Sequence, residues 1–124
     1  RYTAALKDFE RALEIDHNNG WALAGRGAIY CRMENYNEAL SDFERALEVS
    51  SKQHHECALA GRGYTYLLLK RHSEALADLD RAIQLNTNND WYMYLRALAY
   101  QTLNEASKAR TDLASAIKLA KQRY

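Results

Sequence analysis

Small and apolar side chains recur along this chain at steps of three and four residues, the spacing that gathers them on one face of an α-helix. In the run YNEALSDFERALEV, Ala39, Phe43 and Ala46 fall at i, i+4 and i+7. Leu23, Gly27 and Tyr30 keep the same spacing, as do Leu59, Gly63 and Tyr66, and then Met93, Ala97 and Tyr100. The pattern predicts seven helices, over residues 2–15, 20–33, 36–49, 55–69, 73–86, 90–103 and 106–122. Proline is absent and β-branched residues are few, so nothing in local propensity opposes an all-α chain.

The helices are copies of one another. YTAALKDFERALEIDHNN from Tyr2, YNEALSDFERALEVSSKQ from Tyr36, HSEALADLDRAIQLNTNN from His72 and ASKARTDLASAIKLAKQR from Ala106 align without gaps. Ala5, Ala39, Ala75 and Ala109 stand 34, 36 and 34 residues apart, and Phe9, Phe43, Leu79 and Leu113 repeat those intervals. A second recurring piece, WALAGRGAIY from Trp21, CALAGRGYTY from Cys57 and WYMYLRALAY from Trp91, precedes each of the last three segments. Two helices with small residues on facing stripes approach closely while an aromatic fills the remaining gap, so each pair reads as an antiparallel hairpin.

With Gly, Tyr, Ala, Phe and Ala at these places in a 34-residue period, the chain resembles the tetratricopeptide repeat family along essentially its whole length. The resemblance implies an all-α fold, an α-solenoid of antiparallel helix-turn-helix repeats whose seven helices wind into a right-handed superhelix. Leu23, Leu59 and Met93 stand where the family usually has Trp, and His17, Ser51, Thr87 and Lys121 where it usually has a loop Pro. Asn18-Asn19-Gly20 and Asn88-Asn89-Asp90 are expected to supply the special backbone angles between repeats instead. The 36-residue interval puts two extra residues in a loop near Gln53-His54-His55.

No linker composition interrupts the chain, and we read residues 1–124 as one domain. Residues 1–19 are the second helix of a truncated repeat, followed by repeats at 20–55, 56–89 and 90–124. Such a start leaves Leu6, Phe9 and Leu13 uncovered, an expectation of a longer array or of self-association through uncapped ends.

Charge narrows the partners. Seventeen Lys and Arg against sixteen Asp and Glu give a net charge of +1, which favours neither nucleic acid nor an anionic membrane surface. No apolar run reaches a bilayer-spanning length. Two cysteines, Cys31 and Cys57, do not make a disulfide framework, so a cytoplasmic setting is expected. His54-His55-Glu56-Cys57 lacks a second cluster at zinc-like spacing, and loop histidines are ordinarily solvated. No catalytic triad or phosphate-binding loop can be assembled, and no metal, cofactor or enzymatic activity is expected. Arg26, Arg62 and Arg96 recur with Asp42, Asp78 and Asp112, which reads as an interhelical ion pair that fixes register.

One stripe on the first helices is left over, at i, i+3, i+7 and i+10: Trp21, Ala24, Ala28 and Cys31, then Cys57, Ala60, Tyr64 and Leu67, then Trp91, Tyr94, Leu98 and Gln101. Resemblance to the family implies that these positions line the inner, concave wall. It also implies that Lys, Asn and Arg would stand there if the chain clamped a chaperone's terminal carboxylate. Ala24, Gly25, Ala28, Cys57 and Gly61 occupy those places, and the clamp is missing. The expected site is therefore an apolar, aromatic groove of Trp21, Ala24, Ala28, Cys57, Tyr64, Leu67, Trp91, Tyr94 and Leu98. It would hold an apolar or amphipathic peptide or helix of a protein partner, with little sensitivity to salt because the stripe has no Lys or Arg. The rival reading is an architectural spacer with no ligand of its own.

Overall fold

The computed structural model describes residues 1–123. Its α-helices are α1 (Tyr2–Ile15), α2 (Gly20–Arg32), α3 (Tyr36–Val49), α4 (Glu56–Leu68), α5 (His72–Leu85), α6 (Asp90–Thr102) and α7 (Ala106–Arg123), with a single 3-10 turn at Lys52–His54. Every predicted helix is present, with ends within a residue or two of expectation.

Packing is strongest within the pairs α2/α3, α4/α5 and α6/α7, and each pair then packs on the next through α3/α4 and α5/α6. The first helices also touch one another, α2 on α4 and α4 on α6, whereas α3 with α5 and α5 with α7 make no comparable contact. A stack held closer along one side curves toward it. The first helices α2, α4 and α6 therefore form the inner wall.

Phe43 shows how a pair and its neighbour are locked together. Its ring is 1% exposed and lies between two helical glycines. A Cβ on Gly27, in the same pair, would fall 3.0 Å from the ring, and one on Gly61, in the next pair, 2.5 Å. Phe9 stands over Gly25 in the same way, at 2.4 Å. At the third junction the register offers Leu79 and Leu95, both fully buried. By register, a large ring set between two glycines is exchanged there for a smaller leucine set against Gly63 and the leucine in the place of Gly61, a swap that keeps the volume at the junction similar. On α6, accordingly, Tyr92, Leu95 and Ala99 are buried along with Ala97, while the expected packing residues Met93 and Tyr100 are only half-buried.

The charged residues follow the same period. Arg26 donates from Nε and Nη2 to both Asp42 oxygens at 2.8 Å, Arg62 to Asp78 at 2.7 and 2.8 Å, and Arg96 to Asp112 at 2.8 and 2.7 Å. Each guanidinium also lies over the ring of the tyrosine four residues on, Tyr30, Tyr66 or Tyr100, at 5.8–5.9 Å. Arg96 reaches further, to Asp80 on the preceding pair at 3.0 Å. The arginines are thus structural, joining the two helices of a pair.

Two expectations are corrected by the backbone. The asparagines between repeats do not supply left-handed angles: Asn19 and Asn89 have φ of −72° and −96° and cap helices instead. Their side-chain oxygens accept from the N–H of Ala22 and Tyr92 at 3.0 and 3.1 Å, satisfying donors that a helix start leaves open. The left-handed residues lie inside the pairs, at Glu34, Lys70 and Asn104, with φ of 61–64°. There the N–H groups of Asn35, Arg71 and Glu105 close back on Tyr30, Tyr66 and Tyr100 carbonyls at 2.8 Å, the wrap that ends a helix. The loop at 51–55 is also more ordered than expected. His55 is buried, not solvated, with Nε2 against the Ser50 carbonyl at 2.9 Å, and it carries the start of α4.

Candidate partner-binding groove

Helical spacing puts Trp21, Cys57, Tyr64, Trp91 and Tyr94 on the side of their helices away from the packed second helices, and all five side chains are exposed. Trp21 is 74% exposed; its ring and that of Phe9 meet edge to face with centroids 5.4 Å apart, so the contact with the preceding helix covers little of it. Tyr64, Trp91 and Tyr94 form a row across α4 and α6, with ring centroids 6.2 and 5.6 Å apart and the last two nearly parallel. Trp91 remains half exposed within that row.

Three cavities accompany these rings. The first, of about 570 Å³, opens between α2, the end of α3 and the start of α4, where Trp21, Ala24, Val49, Cys57 and Ala58 line it. The second, of about 320 Å³, lies between α2 and α4, with Ala28, Ala60 and Gly61 on its walls, the Phe43 ring beneath, and Tyr64 and Trp91 at one side. Its depth has a simple cause: alanine and glycine on facing helices leave space that a larger residue would fill. The third, of about 280 Å³, joins Trp91 and Tyr94 to Leu113 and Ile117 of α7.

Seven of the nine expected groove residues thus line cavities on the inner wall: Trp21, Ala24 and Cys57 the first, Ala28 and Tyr64 the second, Trp91 the second and third, and Tyr94 the third. Leu98 lines none of the three. Leu67 packs against the cluster of Leu40, Tyr66 and Ala75.

The sequence reading missed the charges. Glu56 lines the first cavity, where it accepts from the Tyr92 hydroxyl at 2.7 Å and from Asn86 at 3.1 Å. Burial and this carboxylate push the Tyr92 hydroxyl well above its ordinary range, which keeps it a donor. Asp90, in the third cavity, pairs with Arg123. Arg32 lines the second cavity and, among the described residues, makes no side-chain hydrogen bond or ion pair. It stands four residues after Ala28, on the same helical face, and extending the stripe by one position would have found it.

Among the described residues no three His, Cys, Asp or Glu side chains gather where they could hold a metal. Cys31 is buried, accepts from the Thr65 hydroxyl at 3.4 Å, and has its thiol pushed up by burial, which makes it a poor nucleophile. His54 pairs with Ser51 at 2.9 Å. No helix among the described residues is long and apolar enough to cross a membrane.

A curved stack of helical hairpins with an open aromatic inner wall defines a helical repeat protein. A tetratricopeptide repeat model matches residues 19–88, more than half of the chain, and the protein belongs to the tetratricopeptide repeat family. Repeats of this family are typically interaction scaffolds. No curated protein matches the chain in sequence. Among solved structures it is similar to MamA, at 23% identity and a TM-score of 0.84, covering 95% of this chain and 68% of that one. It is also similar to YrrB, described as a TPR protein with an unusual peptide-binding site, at 25% identity and a TM-score of 0.79, covering 95% and 60%. The second TPR of Spaghetti (RPAP3), bound to the HSP90 peptide SRMEEVD, is similar at 20% identity and a TM-score of 0.77, covering 83% and 94%.

Proposed function

We propose that residues 1–124 act as one non-catalytic interaction domain, of the expected three and a half repeats, that binds an apolar or amphipathic segment of a partner protein along the inner wall. The observation that carries this reading is the exposed row Tyr64–Trp91–Tyr94 beside cavities walled by alanine and glycine. Rigid aromatic rings provide large contact area at small entropic cost, and a cavity of about 320 Å³ accepts one apolar side chain. The peptide-bound RPAP3 repeat and the peptide-binding site named for YrrB support the same use of the fold. On α1, Phe9 packs over Gly25 and Leu13 against the core of the first pair, and the part of Leu6, Phe9 and Leu13 that stays exposed offers a second contact face for self-association.

The test is a displayed library of random twelve-residue peptides panned on the wild type, with enriched peptides measured against Tyr64→Ala and Tyr94→Ala once circular dichroism shows both folded. Micromolar binding, about −8 kcal/mol, lies within reach of two aromatic anchors. Loss of an anchor worth about 2 kcal/mol weakens binding about thirtyfold. No enrichment, or binding unchanged in both variants, would leave the architectural spacer as the better account.

A further inference from the structure

Arg32 is a charged feature of the inner wall that apolar recognition does not use. Of the charged side chains lining the three inner-wall cavities, Glu56 is held by Tyr92 and Asn86, and Asp90 by Arg123. Arg32 lines the second cavity, exposed, at the last turn of α2, and among the described residues it forms no ion pair with a carboxylate. The other three arginines on the first helices, Arg26, Arg62 and Arg96, each grip an aspartate from two nitrogens. Arg32 is therefore a guanidinium presented to solvent beside a cavity of alanine, glycine and aromatic rings, which is poor in competing acceptors.

We propose that the groove selects a peptide segment whose apolar anchor fills the second cavity and whose adjacent Asp or Glu pairs with Arg32. This rests on the groove reading above and names its ligand chemistry. A carboxylate meets a guanidinium through two parallel N–H donors, a directional contact that a mainly apolar wall otherwise lacks. The charge also sets the direction of the bound segment. The first cavity touches α2 at Gly20, Trp21 and Ala24, and the second at Ala28, Cys31 and Arg32. At 1.5 Å per residue the two lie about 13 Å apart along the helix, about four residues of an extended peptide. The matching ligand has two apolar anchors about that far apart, with its acidic residue beside the anchor of the second cavity, beyond it as seen from the first.

Peptides enriched from the same library test this directly. Those that depend on Tyr64 should carry Asp or Glu next to one of two apolar positions. Arg32→Ala should weaken them about fivefold, and Arg32→Glu more. Replacing the peptide's acid by Lys should weaken binding to the wild type and restore it to Arg32→Glu. Raising salt from 0.05 to 0.5 M should lower wild-type affinity several-fold and leave Arg32→Ala nearly unchanged. Tyr64-dependent peptides without acidic enrichment, or acidic ones indifferent to Arg32→Ala, would overturn the role of Arg32 while leaving the groove in place. A library with no Tyr64-dependent peptide would overturn both.

Discussion

Single residues set how closely the helices approach, and the junction at Phe43 is where this is most exposed to test. Glycine inside a helix costs about 1 kcal/mol relative to alanine, so Gly61 is retained against its own propensity. The ring 2.5 Å from where its Cβ would sit is the reason. Gly61→Leu is expected to destabilise by about 1–3 kcal/mol in urea denaturation. Adding Phe43→Leu should recover most of the loss, since it recreates the Leu79–Leu95 combination of the third junction. Equal midpoints for Gly61→Leu and wild type, or additive losses in the double variant, would contradict the volume match. The glycines were legible in the sequence as packing residues, because they recur at a fixed distance from the aromatic. What escaped was which glycine faces which pair, since Gly25 and Gly61 contact the preceding pair while Gly27 and Gly63 contact their own. That distinction depends on rotation about the helix axis. His55 escaped for a related reason: the two extra residues after Ser51 form a 3-10 turn that folds the imidazole under α4, and no periodic signal marks such a turn.

At the scale of the helix pair, the account turns on the recurring Arg, Tyr and Asp. Arg62 and Asp78 are 19% and 6% exposed at their side chains, so the pair is mostly withdrawn from water. Removing one partner of such a pair strands the other charge. Arg62→Met should cost about 3 kcal/mol in chemical denaturation, and adding Asp78→Leu should return stability close to wild type. A single variant as stable as wild type would show that the pair does not fix the register. The pairing was legible from sequence because Arg and Asp recur sixteen residues apart in three pairs. Helix ends were legible as places but not as mechanisms. Asparagine tolerates both capping and left-handed angles, and composition alone assigned the second role where the structure uses the first. The left-handed positions fell to Glu34 and Lys70, residues with no preference for them, because the Schellman-type wrap demands that geometry whatever side chain stands there.

For the whole molecule, curvature is the property that makes a site. Which helices form the inner wall follows from α2 packing on α4 and α4 on α6 more closely than the second helices pack on one another. Seven of the nine residues expected in the groove line cavities of that wall, Arg32 lies one residue beyond Cys31, and Leu67 packs against Leu40, Tyr66 and Ala75. A stripe treats the face as a line, whereas a helix presents an arc about 100° wide, which is why a neighbour such as Arg32 falls outside it. The account stands most directly on where a peptide binds. With an enriched peptide added to isotope-labelled protein, NMR shifts are expected at the Trp21 and Trp91 indole N–H groups and at backbone amides of α2, α4 and α6 around Ala28, Ala60 and Tyr94. The outward-facing amides of α3 and α5 should stay in place. Shifts confined to those outer faces or to α1, with both indoles unmoved at saturation, would contradict it.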